Sequence, residues 1–378
     1  MTGKNIVRLS KSSISSKEIK AVQEVLKQEY LGMGKEVELF ENDLKSFFLN
    51  NKNRVICVNS GTAALHLSLM ALDLKKGSEV LIPSITYISS FQAVKSAGLI
   101  PIACDVNPFN GSLDLKDLKK RLNKNSKVIM PVHIGGIAHE LEEIYNIAKK
   151  NNLRIVEDAA HAFGSKYKNR LIGSFGDIVC FSFDGIKNIS SGEGGAVITE
   201  DIRVAKRIED TRLLGVERDS KNRYLNKRSW DFECSEIGYR YHMSNIMAAI
   251  GRQQLKRLKS FSLKRRSLAT RYVQKMKDLN LIKPLNKNFK NIVPHIFPII
   301  VEGNKRDDLK NFLFENNIET GIHYKPNHLL KLFSDNLPKR PNSEKLFNNL
   351  LSLPLHYDLK DSEQSKIIKL LKQFDKEN

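Results

Sequence analysis

Between residues 54 and 200, short β-branched apolar runs alternate with helical patterns, and few folds satisfy that alternation. The run at 55–58 is followed by a helix opening at Thr62, and the run at 79–82 by a helix through 91–94. Runs at 99–103, 128–132 and 153–156 continue the series, with helical patterns near 114–122 and 140–150 between them. Strands apolar at every position are covered on both faces, and helices between them imply parallel crossovers. The expected class is therefore α/β, with a largely parallel sheet between helices. Residues 176–183 and 195–199 add two strands, joined by the glycine-rich turn Ser191-Gly192-Glu193-Gly194-Gly195. Beyond Met243 the pattern becomes a long helix to about 275, then a smaller α+β region with a strand at 295–301. The 378 residues suit two unequal domains, 1–255 and 256–378, with the division near residue 255.

The balance of 62 Lys+Arg against 42 Asp+Glu gives +20, which raises nucleic acid as a partner. The lysines are scattered, however, and the longest basic cluster, Lys256 to Arg266, lies on a helical pattern and reads as a solvated helix face. Cys57, Cys104, Cys180 and Cys234 lie far apart, with no CxxC or His-rich spacing, so free thiols in a reducing cytoplasm are expected and a metal site is not. The opening residues contain no apolar stretch of the kind a secretory signal needs, and no run approaches the roughly 20 apolar residues of a membrane span.

Four segments at strand ends carry chemistry, because ligands of such sheets bind at the carboxyl ends of strands. In Asn59-Ser60-Gly61-Thr62-Ala63-Ala64 a strand stops and a helix begins. Small residues there expose N–H groups to an anion such as phosphate, although a plain Ser/Thr cap accounts for the motif equally well. It does not match the Walker pattern GxxxxGK[ST]. In Val156-Glu157-Asp158-Ala159-Ala160-His161 two adjacent carboxylates point to opposite faces, so only one can face a ligand. Beneath a pyridine ring such an acid keeps the nitrogen protonated; a solvated acid pair in a surface turn is the plainer alternative. In Phe181-Ser182-Phe183-Asp184-Gly185-Ile186-Lys187-Asn188 a lysine follows an apolar strand, and partial desolvation makes such an amine a usable nucleophile. Pro83-Ser84-Ile85-Thr86-Tyr87 offers an aromatic face for a planar cofactor, or a core tyrosine.

Together these segments resemble the DegT/DnrJ/EryC1/StrS group of sugar aminotransferases, fold-type I pyridoxal-phosphate (PLP) enzymes. The likeness also takes in Gly32, Gly34 and Phe40-Glu41, Gly192-Glu193-Gly194-Gly195, Ala248-Ala249-Ile250-Gly251 with Gln254-Leu255, His323-Tyr324 and Leu353-Pro354-Leu355. The resemblance implies that Lys187 carries the cofactor and later shuttles protons, that Asp158 pairs with the pyridine nitrogen, and that His161 lies near the ring hydroxyl. It places the phosphate on Gly61, on the N–H groups of Thr62 and Ala63, and on the Ser182 hydroxyl, with Tyr87 stacked over the ring. His323 and Tyr324 are the expected substrate residues. The implied reaction is ping-pong, with glutamate as amino donor and a keto-sugar nucleotide as acceptor, in amino-sugar or polysaccharide biosynthesis.

The resemblance also implies a homodimer with shared active sites, in which many relatives reach across to the partner's phosphate with an Asn where this chain has Arg240. His242 lies in the same crossing loop. Asp184 stands where relatives often carry an aromatic residue or His. Relatives that aminate C4 of a 4-keto-6-deoxy sugar often carry His at the position of His161, whereas several that aminate C3 carry Gln. C4 is the expected position, with C3 the alternative. Three remoter readings share the fold: a sugar dehydratase, which Lys187 argues against; a lyase or desulfurase, for which no cysteine loop is evident; and a DNA-binding regulator, for which no helix-turn-helix precedes the first motif.

Overall fold

The computed structural model describes residues 6–48, 54–217, 219–227, 230–334 and 339–378. Residues 1–5, part of the opening read above for a signal, lie outside them. The strands are β1 (Arg54–Val58), β2 (Glu79–Pro83), β3 (Ile100–Cys104), β4 (Ser126–Ile129), β5 (Arg154–Asp158), the small hairpin β6 (Lys166–Tyr167) and β7 (Arg170–Leu171), β8 (Ile178–Ser182), β9 (Gly195–Thr199), β10 (Ile282–Pro284), β11 (Phe297–Val301) and β12 (Leu350–Leu353). Seven form one sheet in the order β1-β9-β8-β5-β4-β2-β3, in which β9 runs antiparallel to both neighbours and the remaining pairs are parallel.

The continuous apolar runs feed two cores at once, because successive side chains leave a strand on opposite faces. Ile56, Val80, Ile82, Val128, Val156, Ile178 and Val197 pack under helix Gly61–Ala71 and its neighbours Ile88–Ser96 and Ile202–Thr211. Val55, Cys57, Leu81, Ile129, Ile155, Val179, Phe181 and Ile198 face the other way, against helices that include Lys35–Phe47 and Leu141–Lys150. Helix Gly61–Ala71 is buried at every position from Ala63 to Leu69, which its nearly all-apolar sequence permits. Its N-terminus thus opens at the carboxyl edge of the sheet.

Helix Asn245–Lys275 runs unbroken through the expected division at residue 255. Its first half packs on helices Ser16–Lys27 and Lys35–Phe47, and Leu268, Ala269 and Tyr272 join the core over the antiparallel sheet β10-β11-β12. The solvated-face reading of 256–266 holds for Lys256 and Lys259 but not throughout. Arg257 donates to Glu18, and Arg265 is buried, donating to the carbonyls of Pro294, His295 and Leu355. A guanidinium carries five donors, and carbonyl oxygens can satisfy them without a carboxylate.

The Phe40-Glu41 motif has a structural explanation. The Phe40 ring occupies the place a Cβ at Gly251 would take, 2.7 Å from its nearest ring atoms. Glu41 accepts from the Cys57 N–H at 2.8 Å and from the fully buried Arg212 at 2.6 Å, while Arg212 also donates to the Cys57 carbonyl and the Tyr224 hydroxyl. That network braces the strand leading into the first chemical motif. All four cysteines are free thiols, with Cys234 exposed and the other three buried. No helix among the described residues is long and apolar enough to cross a membrane.

Candidate active site

Because β1, β2, β5 and β8 run in one direction, their carboxyl ends meet at one edge, and the four chemical segments converge there. They line a cavity of about 390 Å³ together with His323 and Tyr324 from the C-terminal part of the chain. Of the expected site residues, Gly61, Thr62, Tyr87, Asp158, His161, Ser182, Lys187, His323 and Tyr324 line it; Ala63 and Arg240 do not.

Ser60 caps helix Gly61–Ala71 by accepting from the Ala63 N–H at 3.1 Å. The Ala63 N–H, expected to face a phosphate, donates here to the cap, as the third N–H of a helix commonly does. Among the described residues the N–H groups of Gly61 and Thr62 have no acceptor, so the helix start keeps two free donors beside its cap. A Cβ on Gly61 would lie 2.8 Å from the Ser182 Cβ, so only glycine lets this corner approach the Ser182 hydroxyl.

Glu157 and Asp158 do face opposite ways, but neither is the solvated acid of a surface turn; both are buried. Asp158 points into the cavity, accepting from the Ser90 hydroxyl at 2.7 Å and the Ala160 N–H at 3.2 Å. Ser90 in turn meets the Thr86 hydroxyl at 2.9 Å. Glu157 turns away, accepting from His133 Nε2 at 2.7 Å and from the Tyr145 hydroxyl at 2.6 Å.

Burial lowers the proton affinity of the Lys187 amine; Asp184 and Asp158 oppose the shift and Arg265 adds to it. Its neighbour Asn188 donates to the carbonyls of Phe163 and Val293, and at 3.4 Å to that of His161, which fixes the loop bearing the lysine. His161 accepts the Gly135 N–H at Nδ1 (3.3 Å), leaving its proton on Nε2, 3.1 Å from the Tyr324 hydroxyl. Burial, then Lys187 and His323, hold the His161 ring well below the usual imidazole range. Burial first, then Lys187, brings His323 down to about 4; its Nδ1 lies 2.9 Å from the Ser352 hydroxyl. Burial, followed by Asp158, pushes the Tyr324 phenol up. Tyr87 sits at the rim, 56% exposed, its ring 5.7 Å from that of Tyr324.

A half-enclosed cavity with a desolvated amine, a buried carboxylate and a free N–H pair beside a hydroxyl suits a planar phosphorylated cofactor. The profile of the "DegT/DnrJ/EryC1/StrS aminotransferase family" matches residues 12–372. The chain belongs to that family. It is 32% identical over 366 residues to GDP-perosamine synthase of Escherichia coli O157:H7, covering 96% of each chain. Among solved structures it resembles Helicobacter pylori PseC, an aminotransferase involved in the biosynthesis of pseudoaminic acid, with TM-score 0.92, 26% identity and coverage of 99% of this chain and 100% of that one. It also resembles the PLP form of the putative sugar aminotransferase Spr1654 from Streptococcus pneumoniae, with TM-score 0.91, 27% identity and coverage of 98% and 99%. The protein is accordingly a PLP-dependent sugar aminotransferase of fold-type I.

Arg240 stands exposed beside a second hollow with Leu213, Leu214, Arg223, Trp230 and Phe232, and does not line the first cavity. Sequence reasoning missed two residues. Ser90, which holds Asp158, stands one helical turn after Thr86 and reads as an ordinary helix-start serine. His295 lies 3.4 Å from Lys187 Nζ and stacks on His161 with ring centres 4.3 Å apart. A lone histidine entering an apolar strand carries no signal of that company.

Proposed function

We propose that this enzyme moves an amino group from glutamate to C4 of a nucleotide-linked 4-keto-6-deoxy sugar, acting in the cytoplasm as a homodimer. The observation that carries the reading is one cavity holding a desolvated Lys187 amine, the Asp158 carboxylate and the free N–H groups of Gly61 and Thr62. Bound PLP supplies an electron sink for the carbon that exchanges nitrogen and hydrogen. Gly61, Thr62 and the Ser182 hydroxyl hold its phosphate at the helix N-terminus, where the dipole favours anions. Asp158, oriented by Ser90 and the Ala160 N–H, keeps the proton on the pyridine nitrogen. Tyr87, at the rim of the cavity, would cover the ring, and His161 with Tyr324 would form the wall beside it. Lys187 binds the cofactor as a free amine and moves the protons. His323 and Tyr324 are the residues assigned to the sugar.

A GDP-linked product in the name of one relative supports a nucleotide sugar as acceptor. His161 supports C4, by the resemblance described above. Incubation with nitrogen-15 glutamate and a panel of 3-keto and 4-keto nucleotide sugars, followed by proton NMR, tests both points. The expected product is a 4-amino-4,6-dideoxy sugar nucleotide carrying the label. Nitrogen at C3, or transfer only from another amino acid, overturns the assignment.

The exposure of Arg240 supports a contribution to a second copy's cavity, because among the described residues its guanidinium has no hydrogen-bond acceptor, and a guanidinium pairs well with phosphate. Light scattering is expected to give a dimer as the smallest active species. Mixing inactive Lys187→Ala and Arg240→Ala chains should restore activity through hybrid dimers. An active monomer, or no recovery on mixing, refutes the shared site.

A further inference from the structure

His295 sits two residues ahead of β11, in a segment fastened from several sides. The Val293 N–H donates to Ser165 Oγ at 2.9 Å, and the Val293 carbonyl accepts from Asn188, the residue next to Lys187. The His295 N–H reaches the Gly135 carbonyl at 3.4 Å, and Arg265 donates to the carbonyls on both sides of the Pro294–His295 peptide link. Backbone contacts therefore place this side chain with little help from the ring itself.

The ring has few partners of its own. It is buried, and among the described residues its Nδ1 has none. Burying a polar ring is unfavourable unless its nitrogens are used, and an apolar side chain would fill the same space more cheaply. Among the described residues the one polar atom its nitrogens do meet is Lys187 Nζ, 3.4 Å from Nε2. The titratable and charged groups facing it are Lys187 from the loop after β8, His161 from the loop after β5, His323, and Arg265 from the long helix. All are basic, and with burial they hold the imidazole well below its ordinary range, hence uncharged at neutral pH. An uncharged imidazole has one nitrogen free to accept.

We propose that His295 is the positioning residue for the Lys187 amine, its Nε2 accepting from Nζ whenever that amine is free of the cofactor. When Nζ takes a proton, the resulting ammonium donates to the Nε2 lone pair, and the proton stays on Nζ until it returns to the substrate. The contact is long for a neutral pair and shortens when the donor is charged. This role rests on Lys187 being the cofactor lysine.

The test compares His295→Met with His295→Gln, side chains of similar size of which only Gln can accept from Nζ. In His295→Met, single-turnover rates of both half-reactions are expected to fall about 100-fold, the scale of a misplaced proton carrier. KM for either substrate should stay within about twofold, since no substrate contact is lost. His295→Gln should recover at least about tenfold of the lost rate. The second readout needs no turnover: the pH dependence of covalent PLP capture by the apoprotein, followed by absorbance. Capture requires the free amine, and losing an acceptor disfavours the ammonium and lowers the amine's pKa. The rising limb should therefore move to lower pH by about one unit in His295→Met and by less in His295→Gln. A structural role alone would leave that limb in place and give no advantage to Gln. Unchanged rates, an unmoved limb, or equal effects of Met and Gln each overturn the proposal. Capture that survives in Lys187→Ala would instead refute the reading of Lys187.

Discussion

Lys187→Ala is expected to abolish turnover, with a loss of at least about 10⁴-fold, because on the proposed reading one amine both binds the cofactor covalently and carries the protons. The magnitude follows from the surroundings of Nζ. Among the described residues no second lysine lines the cavity, and the other cationic side chain near Nζ is Arg265, which is buried on carbonyls and remains charged. His161, His295 and His323 are uncharged bases within the same cluster, but an imidazole does not form the covalent link that holds the cofactor. The protein should purify without the absorbance of covalently held PLP. Borohydride reduction of the wild type should leave the cofactor's mass on the peptide containing Lys187 and on no other. Transamination retained by the alanine variant, or a reduced adduct on a different lysine, would refute the assignment.

Lys187 is singled out by its company in the sequence and not by its spacing, and the same distinction runs through the chain. The strands were legible because burial on both faces demands apolar residues throughout, as in β1 and β8. Their ends were less so: β5 extends to Asp158 instead of stopping at Val156, because buried carboxylates carry the strand beyond its apolar run. Partners on either side of the sheet make their burial tolerable, and partners supplied by distant segments leave no periodic trace. Arg265 illustrates the same blindness, since its helical neighbours predict a wet face while three carbonyls from two other segments dry it. Ala63 shows a further ambiguity. Cap and anion cup draw on the same few N–H groups, and sequence does not say which residue serves which. His295 and Ser90 were invisible because their roles arise from tertiary neighbours.

Glu157 and Asp158 give the sharpest separation of site from scaffold, because adjacent positions on β5 send near-identical groups to opposite faces. Asp158→Asn keeps the shape, with its Oδ1 accepting the Ala160 N–H and its amide donating to the Ser90 hydroxyl, which can turn to the Tyr87 carbonyl, but it removes the negative charge proposed to lie opposite the pyridine nitrogen. The expected loss is about 10²–10³-fold in kcat, the range for removing one preorganised electrostatic contact at a reacting group. Its melting temperature should stay near that of the wild type, since the Ser90 bond survives. Glu157→Gln should do the reverse. Its carboxylate holds His133 and Tyr145 in the interior, and the Tyr145 hydroxyl in turn accepts the Asp177 N–H at 2.8 Å. Weakening a buried charge-assisted pair costs about 1.5–3 kcal/mol, so the melting temperature should fall while kcat stays within about threefold. Denaturation curves and initial rates on the two purified variants decide the matter. A Glu157→Gln enzyme that melts normally but is catalytically the weaker of the two would mean that the acid assigned to the pyridine nitrogen is the wrong one.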